Sequence, residues 1–291
     1  LDWYNDRSIR TVSFVAIIFG CVFFYLEKGR NSHYMLLDVL RLRTIRLGVL
    51  LYLLLMIFNS SAMFVNVFTG IGMKLDNYQN ATLGNWCMAG YAIGALSSMF
   101  LGSKGVHFKY LFAAGFLFLG LSAVFMYFEV QSAGLYERMK YPVIIRTTGM
   151  MFLYALTAAY ATQRMPYKYL STWICVMLTV RMVLGPSIGG AIYSNVLQER
   201  QQHYIVRYAQ NVDMLHPEAS ASFIQTMQGM QYQGKSKQEA LNMAALSTKG
   251  RIQVQATLSA VKEMAGWTIY GCLFCMIFVL IIPYPKRKLL T

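Results

Sequence analysis

The chain has 291 residues, of which 56% are hydrophobic, 14% aromatic and only 13% charged, and its mean hydropathy is +0.42. A globular domain in water carries about a quarter charged residues, so this chain lacks the polar surface to coat a soluble core, and its apolar content equally excludes intrinsic disorder. Lys and Arg nevertheless number 26 against 12 Asp and Glu, a net charge of +14. Such an excess either forms a basic face for nucleic acid or flanks the spans of a membrane protein, and the position of the charges decides between them.

A bilayer core about 30 Å thick takes about 20 apolar helical residues. Seven runs qualify or nearly so: Thr11 to Leu26, Leu47 to Phe68, Gly84 to Leu101, Tyr110 to Phe128, Tyr141 to Ala161, Leu170 to Leu197 and Trp267 to Tyr284. Tyr25, Trp267 and Tyr284 stand at the ends of the first and last runs, where amphipathic rings favour the headgroup level. Between the runs, the short segments on one side hold twelve cations, among them Lys28, Arg30, Arg41, Arg43, Arg46, Lys104, Lys109, Arg164 and Lys168, against five on the other. The positive-inside rule then predicts a cytoplasmic C-terminus and an outer N-terminus. The charge excess is an orientation signal, and no nucleic-acid partner is expected. The start at Leu1 shows no initiator Met and no signal peptide, and we expect a piece of a longer protein.

The long connection from Glu199 to Glu263 is polar, with seven basic and five acidic residues. Ser236-Lys237-Gln238-Glu239, followed by Ala240, Leu241, Met243, Ala244 and Leu246, has the form of a capping box opening an amphipathic helix. His216-Pro217-Glu218 suits another helix start, with Pro in the first turn. Either a small helical cap on the outer face or a solvated loop would fit.

No motif points to catalysis, and the chain is not expected to be an enzyme. Cys272 and Cys275 form a C-x-x-C among Leu273, Phe274, Met276 and Ile277. A reactive thiol needs an electropositive, accessible setting, so these are expected to be inert apolar residues. His33, His107, His203 and His216 fall in connecting segments without a second ligand at metal spacing, so neither a metal nor a cofactor is expected. No P-loop occurs, and all twelve carboxylates lie outside the seven runs. A proton-binding carboxylate inside the membrane is therefore expected elsewhere in the whole protein.

Two arginines do enter the runs. Even the lowest scales put an arginine at mid-bilayer at about 2.5 to 3.5 kcal/mol, so each should face the bundle interior, water or a partner. Arg146 lies one turn into the fifth run and either faces inward or snorkels towards Tyr141 and Pro142. Arg181 lies mid-run in the sixth and should face inward. It precedes Gly185-Pro186-Ser187-Ile188-Gly189-Gly190, where proline bends a helix and glycines admit a close neighbour, the elements of a pivot or of a plain structural kink. In the second run Asn59 and Asn66 are seven apart and so share a helix face. Amides facing lipid would be costly, so the pair should line a cavity or bond across helices.

The order of these features resembles the fourteen-helix drug:proton antiporters of the major facilitator superfamily, the EmrB/QacA type. Leu1-Asp2-Trp3-Tyr4 with Ile9-Arg10 is similar to the outer loop between that family's two extra central helices. Leu36-Leu37-Asp38-Val39-Leu40-Arg41 with Arg46-Leu47-Gly48 resembles its cytoplasmic linker, and Arg146-Thr147-Thr148-Gly149 its twelfth helix. Gly185 to Gly190 spells the antiporter pattern G-P-x-x-G-G. Arg181 stands four residues before Gly185 where the family pattern has three, and Met182 replaces the usual Gln.

The resemblance implies an all-α membrane protein with seven transmembrane helices. Residues 1–46 would hold one extra helix and its linker; residues 47–291 would be the C-terminal six-helix bundle of the major facilitator fold, with a periplasmic loop at 199–263. It implies the C-terminal part of a proton-coupled multidrug efflux transporter working by alternating access, with partners in the lipid bilayer, drug-like small molecules, protons and a periplasmic adaptor protein. Asn59 and Asn66 would contribute to the substrate wall, and Arg146, Gly149, Arg181, Gly185, Pro186, Gly189 and Gly190 to coupling and gating. A metabolite transporter or uncoupled facilitator would share this fold. A seven-helix receptor would share the span count, although a retinal protein needs a lysine in its last span and Trp267 to Tyr284 has none.

Overall fold

A computed structural model describes residues 7–28, 37–131, 135–163, 165–211 and 217–284. Among these the chain is all-helical, without a strand. Its helices are α1 (Arg7–Lys28), α2 (Arg43–Asn59), α3 (Ala62–Val67), α4 (Asn77–Ser103), α5 (Phe108–Glu129), α6 (Tyr136–Thr162), α7 (Leu170–Thr179), α8 (Gly185–Asn211), α9 (Pro217–Tyr232) and α10 (Lys237–Ile281). Short π-helical turns at Phe68–Gly72 and Val180–Leu184 follow α3 and α7.

Among the described residues five segments are long and apolar enough to cross a membrane: Arg43–Gly72, Phe108–Glu129, Tyr136–Thr162, Tyr167–Gln210 and Lys237–Ile281. They cover the second, fourth, fifth, sixth and seventh apolar runs. The third run, within α4, dilutes its apolar residues with Gly84, Gly90, Gly94, Ser97 and Ser98. α1 exposes Val12, Phe14, Ile17, Phe19 and Leu26, each more than 60%, apolar surface that a bilayer would cover and water would not.

The connection after Glu199 is helical in its described part. α8 runs on to Asn211, and α9 starts at Pro217, whose missing N–H costs nothing in a first turn. Ser236 caps α10 reciprocally: its hydroxyl accepts from Glu239 N at 3.2 Å, and Glu239 Oε2 accepts from Ser236 N at 3.1 Å. The buried stripe of this stretch is Ala240 and Ala244, while Leu241, Met243 and Leu246 are exposed. Small side chains let α9 come close to α10, and Arg251 Nη1 donates to Ser222 Oγ at 2.9 Å between them. α10 is unbroken for 45 residues, about 68 Å at 1.5 Å per residue, more than twice a bilayer core.

The chain divides into two compact units, Leu1–Leu54 with Thr157–Ser187, and Leu55–Leu156 with Ile188–Thr291. In the first, Gly48 gives Trp173 room to approach: a Cβ there would meet the indole Cη2 at 3.1 Å. Trp173, Tyr52, Ile45 and Ala161 are fully buried around it. The second unit centres on α10. Phe64, Phe68, Tyr193, Leu258, Val261 and Met264 join one apolar core there, and Tyr193 shares a 3.2 Å hydrogen bond with Thr268 Oγ1. Cys272 and Cys275 are buried, 1% and 2% exposed, in the same unit.

Candidate functional site

The second unit contains a break in the second apolar run, at Ser60-Ser61. Serine hydroxyls compete for backbone acceptors and loosen helix interiors, and Ser60 Oγ donates to Met56 O at 3.2 Å. The backbone tightens at this point: Ser61 N donates to Phe58 O at 3.1 Å, Met63 N to Ser60 O at 3.1 Å and Phe64 N to Ser61 O at 3.0 Å, each three residues back. The Asn59 carbonyl, which an unbroken helix would present to Met63, thereby becomes the open end of α2.

Arg146 of α6 occupies that end. Its Nη1 donates to Asn59 Oδ1 at 2.9 Å and approaches Asn59 O at 3.4 Å. A cation at a helix C-terminus is favoured by the partial negative charge of the terminal carbonyls. Of the two directions open to Arg146, towards a neighbouring helix or out to the interface, the side chain takes the first. It is half-buried, Nε has no hydrogen-bond partner, and Cys87 and Tyr91 of α4 lie close to it. Among the described residues no carboxylate pairs with Arg146.

Two glycines from the sequence reading surround this contact. Gly189 of α8 sits on the break itself: a Cβ there would collide with Ser60 Oγ and meet Ile57 Cα at 3.0 Å. Gly149, one turn beyond Arg146, lets α6 close on α5, where a Cβ would meet Phe118 Cβ at 2.8 Å and Gly115 O at 3.1 Å. Gly190 faces open space.

Asn59 and Asn66 prove inequivalent. Asn59 is half-buried and bonded to Arg146, whereas Asn66 is exposed, because the break lies between them and the seven-residue phase of a regular helix does not carry across it.

Arg181, Gly185 and Pro186 belong to the first unit. Proline has no N–H for the carbonyl four residues earlier, and the chain answers by widening: Gly185 N donates to Val180 O, five residues back, in the π turn Val180–Leu184. The expected bend is thus a π turn, with Arg181 within it and half-buried. His107, read as a plain connecting residue, caps α5 by accepting from Lys109 N at 3.3 Å. His203 lies within α8 rather than in a loop. His33, His216, Arg30, Arg164, Lys286 and Leu1 to Tyr4 lie outside the described residues.

One feature escaped the sequence reading. Gly90 and Gly94 of α4, a G-x-x-x-G, form the seat of α6: a Cβ on Gly90 would meet Ile144 O at 2.6 Å, and one on Gly94 would meet Thr148 O at 2.5 Å. Thr148 Oγ1 donates to Gly90 O at 3.2 Å across this contact. The spacing itself was the available signal. α6, the carrier of Arg146, is therefore held by glycine contacts to α4 and to α5.

No protein-family model matches this chain, and no curated protein matches it either.

Proposed function

We propose that the chain is the C-terminal part of a proton-coupled efflux transporter for drug-like small molecules, a bacterial inner-membrane protein of the major facilitator fold working by alternating access. In this reading seven spans cross the bilayer, α1 is the extra helix, and the C-terminus is cytoplasmic. The segment from Glu199 to Glu263, helical in its described part, then stands on the periplasmic side, where an adaptor protein could dock.

The observation that carries the reading is the contact of Arg146 with the broken end of α2. Discontinuous helices whose ends face charge are the recurring element of secondary transporters, and irregular backbone at membrane depth is tolerated where it is satisfied by protein or lines a cavity. The arginine here satisfies the freed carbonyl, and Gly189, from the G-P-x-x-G-G segment, touches the same break. A movement of α8 against α2 would change the contact that Arg146 makes. Arg146 and Gly189 thus meet at the same break, and Asn59 serves as the arginine's partner rather than as a bare wall of the substrate path.

Proton-driven efflux of a cationic dye by the whole transporter in everted vesicles tests this. Arg146→Ala should cut efflux by about tenfold or more, in line with about 1.5–3 kcal/mol for a charged hydrogen bond, while Arg146→Lys keeps part of it. Unchanged efflux in Arg146→Ala at equal expression would refute the assignment.

A further inference from the structure

We propose that the cleft between α5, α8 and α10 is a headgroup site for an anionic phospholipid. The cleft encloses about 710 Å³ and is lined by Tyr127 and Phe128 of α5, Tyr204 and Tyr208 of α8, and Lys262 and Trp267 of α10. Its rings are not covered by the protein: Phe128 is 65% and Trp267 58% exposed.

The cleft lies where three helices change character together. Lys262 and Glu263 are the last charges of α10 before the uncharged stretch from Met264 to Ile281. Glu129 is the first charge in α5 after Lys109, and Glu199 and Arg200 follow the apolar run of α8. A level at which three packed helices pass from apolar to charged, marked by Tyr and Trp, is the headgroup level of a bilayer.

The charges select the ligand. Lys262 Nζ lies 4.9 Å over the Tyr127 ring and the Arg200 guanidinium 5.7 Å over the Trp267 ring. Glu263 is the one carboxylate lining the cleft, and its Oε1 stands 3.6 Å from Arg200 Nε, too far for a hydrogen bond. Arg200 Nε is buried and has no hydrogen-bond partner. Arg200 does not itself line the cleft and balances Glu263 beside the Trp267 ring, so the Lys262 ammonium is left as the excess positive charge among the lining residues, which suits a phosphate oxygen. A choline or ethanolamine group would have to displace the protein's own cations from the same aromatic faces. The rings would then hold the glycerol and upper acyl carbons. The site needs a membrane but not transport.

Native mass spectrometry of the intact protein, purified in detergent and titrated with phosphatidylglycerol or with phosphatidylcholine of the same chains, tests the site. Wild type should retain phosphatidylglycerol at about tenfold lower concentration, and Lys262→Gln should lose about fivefold of that preference, the contribution of one basic residue near an anionic lipid. Lys262→Arg should keep it, and circular dichroism checks that both variants fold. Equal retention of the two lipids by wild type, or an unaltered preference in Lys262→Gln, would overturn the proposal. So would displacement of the lipid by equimolar glycerol 3-phosphate, which would make the cleft a site for soluble anions.

Discussion

Arg146 is the residue on which the second unit's polar chemistry turns. An arginine inside an apolar bundle is retained only where donors find acceptors, and this one finds a carbonyl and an amide oxygen at the end of α2. The pair should be energetically coupled. Asn59→Ala takes away the shortest contact of the guanidinium and leaves it the longer one to the Asn59 carbonyl and the nearby Cys87, and about 1–3 kcal/mol of stability should be lost. Arg146→Met removes the cation together with its unsatisfied Nε, so its cost should be smaller. In a double-mutant cycle by thermal unfolding in detergent, the combined variant should be more stable than the sum of the two by about 1 kcal/mol, whereas effects that add within about 0.5 kcal/mol would mean that the contact is not made.

At the level of helices, close approach through glycine sets the position of α6. Its two glycine interfaces use opposite arrangements: α4 presents Gly90 and Gly94 to the α6 backbone, whereas α6 presents Gly149 to α5. In the proposed membrane setting, where lipid removes the hydrophobic force between helices, such backbone proximity and the dispersion contacts it permits would provide much of the association energy. Gly90→Val should therefore destabilise the protein by about 1–3 kcal/mol through overpacking. Gly84 lies on the same helix with nothing within 4 Å of its Cβ position, and Gly84→Ala should be neutral or gain up to about 1 kcal/mol from helix propensity. A Gly90→Val protein that melts with wild type would show that α4 and α6 do not touch as described. The π turn before Pro186 and the tightened turn at Ser60-Ser61 are the complementary case, in which a helix interior yields rather than a neighbour.

For the molecule as a whole, charge placement predicts orientation. Lys104 and Lys235 are both exposed, each at a turn containing a glycine of positive φ, Gly105 and Gly234, and the proposed topology puts them on opposite sides of the membrane. In a background with the five native cysteines replaced, Lys235→Cys should react with an impermeant maleimide in spheroplasts, and Lys104→Cys only after permeabilisation. The opposite pattern would invert the topology, and labelling of both in intact spheroplasts would remove a span between them. The 45-residue α10 belongs to this scale too. As one continuous helix it joins the span to the α9 hairpin, so a displacement of either is transmitted to the other without a flexible joint.

What the sequence determined by itself was whatever depends on local chemistry or on the demands of a bilayer. The all-helical class and the apolar runs were legible because segments long and apolar enough to span a bilayer must satisfy their backbone groups within the segment, as helices do. The capping box at Ser236 and the helix start at Pro217 were legible for the same reason, since their partners lie within one turn. The tertiary structure alone decided the partner of Arg146, an asparagine 87 residues away in the chain. It also separated Asn59 from Asn66, because a turn tightened to hydrogen bonds three residues back at two serines breaks a phase that residue counting assumes to be continuous. The seat of α6 stood between these cases: G-x-x-x-G was visible as a spacing, but which helix lies on it is settled only where the backbones meet.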